Sequence, residues 1–178
     1  DRSIHIIRHP RNQGKGAAIL SGAEKARALG AGHIITIDAD GQHYGEDLPA
    51  FFAAIAKDPE AIIVGCRRFD ETYVPGSSRF GRNFSNFWFR VQTGHKIGDS
   101  QSGFRAYPIT VIEAFKWREK RYAFENEIIV RAAWAPYTDP PAQNVPKRTE
   151  PYAFVPIRTD SYAIAHPTNA ITHYIDCL

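Results

Sequence analysis

Apolar positions along this 178-residue chain follow two rhythms. Short β-branched runs without regular polar alternation, His33–Ile37 and Ala61–Gly65, read as strands buried on both faces of a sheet. Longer stretches repeat at helical spacing. Ile19, Ala23 and Ala26, with Ala18, give the stretch from Asn12 to about Leu29 a small-residue face, with Asn12 as its cap and Gly30 or Gly32 as its stop. Glu46 and Asp47 open a second helix to about Lys57, their charges placed where the helix dipole favours acids. Phe84, Phe87, Trp88 and Val91 predict a third over Gly81–Thr93. A further helix runs from Pro108 to about Trp117, and another over Tyr122–Trp134 with Phe124, Ile128, Ala132 and Ala135 on one side. Ser3–Arg8 reads as an opening strand. Strands and helices alternating at these lengths predict right-handed crossovers and a mostly parallel α/β sheet, whose ligands collect at the strands' carboxyl ends.

Two stretches break the rhythm. Residues 70–80, with Pro75, Gly76, Ser77 and Ser78, predict a loop and a candidate lid. After Ala135 come 7 of the 12 prolines, which predict an irregular or extended tail. Two units are therefore expected, a domain over 1–135, which the resemblance described below implies is catalytic, and a Pro-rich extension over 136–178. Within the extension, Val155-Pro-Ile-Arg158 reads as a strand displaced by an insertion, and a tail unrelated to the preceding domain fits the composition equally.

Composition narrows the class. With 43% hydrophobic residues the chain can bury a sizeable core. No apolar run approaches the roughly 18 residues of a membrane span. Cys66 and Cys177 are too few for a disulfide framework, and the seven histidines lack zinc-ligand spacing. The net charge of +3 is unevenly spread: residues 61–135 carry 12 Lys and Arg against 7 Asp and Glu. Such a basic middle suits phosphate groups or an anionic membrane surface. Nucleic acid is not an expected partner, since no recognised nucleic-acid motif accompanies the charge.

The chemistry concentrates where the first buried strand ends. Asp38 and Asp40 are one residue apart, so in extended geometry both point to the same side, and Gly41 lets the backbone turn away. Paired carboxylates there make a hard-cation site for Mg²⁺ or Mn²⁺; a plain Asp-Gly turn is the bland alternative. Arg67 and Arg68 end the next strand at the same edge. Lys15, between Gly14 and Gly16, either follows capping glycines or reaches a substrate phosphate from a helix start. A Walker loop is excluded on spacing, because it needs Gly-x-x-x-x-Gly-Lys followed by Ser or Thr, and here Gly16 and Ala17 follow Lys15. The aromatic stripe of residues 84–91, with Arg79, Arg82 and Arg90 nearby, is either core packing or an interfacial helix meeting a lipid-linked substrate. Glu125 and Glu127 read as charge complements of their helix start.

Taken in order, Asn-x-Gly-Lys-Gly-Ala-Ala, Asp-Ala-Asp-Gly-Gln-His, Gly-Cys-Arg-Arg-Phe, Asp-Ser-Gln-Ser-Gly-Phe-Arg and Phe-Glu-Asn-Glu-Ile resemble the family 2 glycosyltransferases, most closely the dolichyl- or polyprenyl-phosphate sugar synthases. The resemblance covers about residues 3–135. It implies a GT-A fold, three-layered α/β/α, and inverting transfer of a sugar from a GDP- or UDP-sugar to a polyprenyl-phosphate or envelope-glycan acceptor at the inner face of the cytoplasmic membrane, with peripheral membrane association. Carried over residue by residue, it implies Asp38, Asp40 and Gln42 as ligands of Mg²⁺ or Mn²⁺, and Lys15 and Arg67 at the donor. Arg79, Arg82 and Ser85 match the acceptor-side loop and helix. Asp99 matches the acid before the Ser-Gly-Phe element. For a hydroxyl acceptor Asp99 would be the general base; for a phosphate acceptor, already ionised, it would be a positioning or metal-linked residue. The family's opening strand, helix and strand, with a Pro-x-Tyr-Asn-Glu element, do not precede Ser3, so the GT-A domain is expected to be truncated at its N-terminus.

Two other functional classes remain open at this stage. One is a fragment or degenerate domain that binds its donor weakly or not at all. The other is a nucleotidyltransferase using the same paired-carboxylate logic.

Overall fold

The computed structural model describes residues 4–38, 43–67, 76–118, 120–121, 123–135, 152–157 and 174–177, without side-chain detail at 76–80, 82 and 174–177. In order, these form α1 (Lys15–Ala28), β1 (His33–Ile37), a 3-10 turn (Gly45–Asp47), α2 (Leu48–Lys57), β2 (Ile62–Arg67), α3 (Gly76–Thr93), β3 (Arg105–Pro108), α4 (Ile109–Glu113), α5 (Phe124–Trp134), β4 (Tyr152–Ile157) and β5 (Tyr174–Cys177).

The five strands make one sheet in the order β4-β2-β3-β1-β5. Its strands point their side chains alternately to two cores, which is why β1 and β2 carry apolar residues at nearly every position. Ile34, Ile62, Val64 and Tyr107 face a layer of helices that includes Ile19, Ala23 and Ala26 of α1 and Ile128 and Ile129 of α5. Ile35, Ile63 and Ala106 face the other side, where Phe51 of α2 stacks on Phe104 with ring centroids 4.2 Å apart. The architecture is therefore three-layered α/β/α.

The expected mostly parallel sheet is mixed. β2 and β4 are parallel, with Ile62 opposite Tyr152, whereas β3 runs antiparallel to both β1 and β2. β5 is antiparallel to β1 along its other edge. The Pro-rich extension thus contributes two strands where irregular chain was expected, and β4 contains the Val155–Ile157 stretch read as a displaced strand. Three further expectations are corrected. Residues 4–9 form no strand, and Ile4, Ile6 and Ile7 are exposed. Residues 76–80 are the first turns of α3 and not part of a loop, while 68–75 lie outside the described residues. The helix expected to reach Trp117 stops at Glu113.

α1 ends as its sequence predicts. Gly30 adopts φ 84°, its N–H donating to Arg27 O, while Ala31 N–H donates to Ala26 O, the paired bonds of a Schellman stop. The start of α1 is shaped by packing. Asn12 Oδ1 accepts from Gly14 N–H just before the helix, and Ala17 N–H donates to Lys120 O. A Cβ on Gly16 would lie 2.5 Å from that of Phe124, so the glycine allows α1 to press against the segment leading into α5.

Candidate active site

Strand direction explains why distant residues meet at one edge. β1, β2 and β4 share a direction, so the ends of β1 and β2 bring Asp38 and Arg67 to the same rim. β3 runs the other way, so the 99–104 segment that enters it arrives at that rim too. α1 begins there with Lys15, and α5 begins there with Glu125.

Lys15 links two of these elements. Its Nζ lies 2.6 Å from Asp38 Oδ1 and 2.8 Å from Glu125 Oε2, with the lysine side chain almost wholly buried. Burial alone would lower its pKa, but the charges of Glu125 and Asp38 outweigh it and raise the net value, so the ammonium form is secured. Glu125 Oε1 is buried without a hydrogen-bond partner among the described residues, leaving one acceptor site open beside the pair. Asp38 is the more exposed carboxylate, its side chain at 27%, and it lies against the backbone of the 99–104 segment. A Cβ on Gly103 would fall 1.9 Å from Asp38 Oδ2, so only glycine admits the carboxylate there.

A second ion pair stands alongside. Arg67 Nε donates to Asp99 Oδ2 at 2.6 Å and Nη2 donates to Oδ1 at 3.1 Å, a two-point contact on a carboxylate with no exposed surface. Asp99 Oδ1 also accepts from Gln101 N–H. The segment is anchored from α3 as well: Asn86 Oδ1 accepts from Ser100 N–H and Oγ–H, Asn86 Nδ2 donates to Gly98 O, and Gln101 Nε2 donates to Ser85 Oγ.

Beneath the rim, Arg105 is buried inside β3. Its guanidinium donates to Ser102 O at 2.6 Å, to Ser100 O at 2.8 Å and to Glu125 O at 2.6 Å, tying the segment to the start of α5. Burial opposes its charge, but Tyr107, Glu125 and Asp99 more than compensate and raise its pKa. Tyr107, also fully buried, has its pKa raised by burial despite the neighbouring arginine.

Of the residues singled out from sequence, Lys15, Asp38, Arg67, Ser85 and Asp99 come to this rim. Asp40 and Gln42 lie outside the described residues, as do the side chains of Arg79 and Arg82, whose backbone belongs to α3. Sequence reasoning missed Glu125, whose place in a first helical turn had a sufficient explanation of its own, and Arg105, Asn86 and Gly103. A charged residue between Phe104 and Ala106 was the signal for Arg105: such a residue in a buried strand must find several acceptors. Asp38 is a hard oxygen donor with one carboxylate oxygen bound by Lys15, and its chemistry fits Mg²⁺ or Mn²⁺. Among the described residues, no group of three His, Cys, Asp or Glu side chains forms a metal cluster.

A mixed α/β/α sheet with acidic and basic groups gathered at one strand-end rim is the arrangement of a GT-A-like α/β fold. The family model for glycosyl transferase family 2 matches residues 1–115, and the chain belongs to that family. Among curated proteins, it is 31% identical over 134 residues to a UDP-N-acetylglucosamine–dolichyl-phosphate N-acetylglucosaminyltransferase of Methanococcus voltae, covering 72% of this chain and 53% of that one. It is 28% identical over 142 residues to a polyprenol monophosphomannose synthase of Mycolicibacterium smegmatis, covering 72% and 51%. An uncharacterised protein of Methanocaldococcus jannaschii is 28% identical over 178 residues, covering 96% and 68%. The chain thus spans about half the length of the two named transferases. No solved structure gives a significant match.

Proposed function

We propose that this chain belongs to a metal-dependent, inverting glycosyltransferase that moves a sugar from a GDP- or UDP-sugar to a polyprenyl phosphate at the cytoplasmic face of the membrane. The observation that carries the acceptor choice is the state of Asp99. Both of its oxygens are taken by Arg67 and the carboxylate is fully buried, so it is poorly placed to collect a proton from an attacking hydroxyl. A phosphate acceptor arrives ionised and needs no such base, which favours it over an envelope-glycan hydroxyl. The names of the similar dolichyl-phosphate and polyprenol enzymes support the same reading.

In this reading Asp38, with Asp40 and Gln42, would hold Mg²⁺ or Mn²⁺, which when bound neutralises the diphosphate as the glycosidic C–O bond breaks. Lys15 fixes Asp38 from the buried side, Glu125 fixes Lys15, and Gly103 leaves room for the carboxylate. Arg67, its charge balanced by Asp99, holds the Asp99 segment against β2 at the donor side of the rim. Arg79 and Arg82, on the opening turns of α3, and Ser85, bonded to Gln101, are assigned to the acceptor side.

Calorimetric titration of UDP and of GDP, each with and without Mn²⁺, tests the donor half, with Asp40→Asn as the control. Metal-dependent binding of one nucleotide that disappears in the variant is the expected result. No binding of either nucleotide to a folded chain overturns the donor site and leaves a non-catalytic domain as the reading.

A further inference from the structure

One positive charge is already lodged at Asp38. Lys15 Nζ lies 2.6 Å from Asp38 Oδ1 and 2.8 Å from Glu125 Oε2, and the lysine side chain is only 7% exposed. The ammonium is thus engaged by two carboxylates and is not held out toward a phosphate. Neither oxygen of Asp38 is without a neighbour, since Oδ1 carries the ammonium and Oδ2 lies against Gly103. A divalent cation taken through Oδ1 therefore shares that oxygen with a full positive charge, which opposes it. Glu125 adds a second observation. It holds Lys15 through Oε2, while its Oε1 is buried with no hydrogen-bond partner among the described residues. Buried polar atoms are normally satisfied, so this carboxylate keeps an unused acceptor beside the lysine.

The charges around the pair point the same way. Among the described side chains at and beneath the rim, Lys15, Arg67 and Arg105 stand against Asp38, Glu125 and Asp99. Three cations balance three anions. The next charged residues in sequence, Asp40 after β1 and Arg68 after β2, are opposite in sign and leave the balance unchanged. A divalent cation arriving alone would leave about two uncompensated positive charges in a partly buried place, and a sugar nucleotide arriving alone about two negative ones. Only the two together restore neutrality.

We infer that Lys15 is a built-in counter-cation of Asp38, which keeps the site from taking a divalent cation by itself and makes cation and diphosphate enter together. The inference rests on the donor reading above and deepens it, by naming the residue that makes the two ligands depend on each other. The dependence is reciprocal: the factor by which the nucleotide raises the cation's affinity is the factor by which the cation raises the nucleotide's. Lys15 sets that factor through its charge, and Glu125 sets it by holding Lys15 in place.

Mn²⁺ binding without nucleotide, followed by loss of the free-ion signal in electron paramagnetic resonance, tests this. Wild type should take up the ion only weakly. So should Arg27→Met, a control that removes the same charge from an exposed pair in the last turn of α1. Lys15→Met leaves Asp38 and both oxygens of Glu125 facing one another, and should bind Mn²⁺ at least about tenfold more tightly. The ion should also raise the urea midpoint of Lys15→Met and leave that of wild type in place, which keeps the variant measurable despite its lost ammonium. Glu125→Gln is the converse, because Lys15 keeps Asp38 but has one carboxylate fewer. It should bind UDP or GDP without metal at least about fivefold more tightly than wild type, and gain correspondingly less from Mn²⁺. Equal Mn²⁺ binding by wild type and Lys15→Met overturns the proposal. So does a Glu125→Gln protein with wild type's metal-free affinity and wild type's gain from Mn²⁺, for a nucleotide that both bind. Tighter Mn²⁺ binding by Lys15→Met, alongside a folded wild type that binds neither nucleotide under any condition, removes the donor reading and leaves the place of Lys15 standing. Metal-dependent nucleotide binding by a wild type that already holds Mn²⁺ tightly on its own does the reverse.

Discussion

The Arg67 guanidinium closes on the Asp99 carboxylate at two points, 2.6 and 3.1 Å, and removes it wholly from solvent. A buried pair of this kind is costly to break from one side, because the surviving charge has no solvent to fall back on. Arg67→Met is expected to lower stability by about 3–5 kcal/mol. Arg67→Met/Asp99→Asn should recover part of that loss, giving a coupling of about 1–3 kcal/mol in urea unfolding. Strict additivity would show that the two side chains do not act as a pair. In the transfer reaction, Asp99→Asn should cost less than the roughly 10²–10⁴-fold that a lost general base costs. A larger loss, with the acid limb of the pH profile removed, would restore Asp99 as the base and point to a hydroxyl acceptor.

Lys15 stands between Asp38 and Glu125, which neutralise it jointly. Replacing it with methionine keeps much of the volume but leaves two carboxylates facing each other at a largely buried position. Lys15→Met should therefore destabilise the fold by about 3 kcal/mol. Adding Glu125→Gln should relieve the repulsion and return a substantial part of the loss. Chemical unfolding of the four combinations reads this directly, and a Lys15→Met protein as stable as wild type would mean the two contacts are incidental.

How far the sequence could carry this picture depended on whether a residue's environment was local. β1 and β2 were legible because strands covered on both faces need apolar residues throughout, and Ile34, Ile35, Ile62 and Ile63 meet that need. β3 was not, since its four residues include Arg105, Tyr107 and Pro108, and its conformation comes from pairing with β1 on one side and β2 on the other. The mixed sheet followed from that omission. At the site, Asp38 and Arg67 were legible as strand ends, whereas Glu125 gains its role only through a lysine on another helix. Periodicity showed that Phe84, Phe87, Trp88 and Val91 share a face, but not that the face is turned outward.

Alkaline pH should loosen the helix-to-sheet contact at β4. Tyr152 is buried in the core, its hydroxyl donating to Ile129 O of α5, and burial raises its pKa well above the ordinary value of 10.0. Because the folded chain holds this proton more tightly than the unfolded chain, the stability it contributes is complete below pH 10.0 and is lost as pH rises from there toward the raised value. Tyr107 behaves in the same sense, its pKa also raised by burial. Tyr152→Phe should lose about 1 kcal/mol at neutral pH with the hydrogen bond, and its stability should fall less steeply than wild type's in the alkaline range. Urea midpoints followed across alkaline pH, with tyrosinate absorbance as a second probe, check both parts. Parallel pH curves for the two proteins would remove Tyr152 from the account.

Gly103 gives the sharpest separation between fold and site. Its backbone is the wall against which Asp38 rests, and an added methyl group would fall 1.9 Å from Oδ2, far inside contact distance. Either the carboxylate or the segment entering β3 must move. That segment is fastened by Asn86, Arg105 and Arg67, so Asp38 is the part free to give way, and Lys15 would have to follow it. Gly103→Ala should thus cost about 1–3 kcal/mol of stability, as overpacking does, while leaving the circular dichroism of the sheet and helices intact. Nucleotide affinity in the presence of Mn²⁺ should fall at least tenfold, because ligand geometry at a cation site tolerates little displacement. Unchanged metal-dependent affinity in a Gly103→Ala protein of otherwise native spectrum would place the donor's cation away from Asp38.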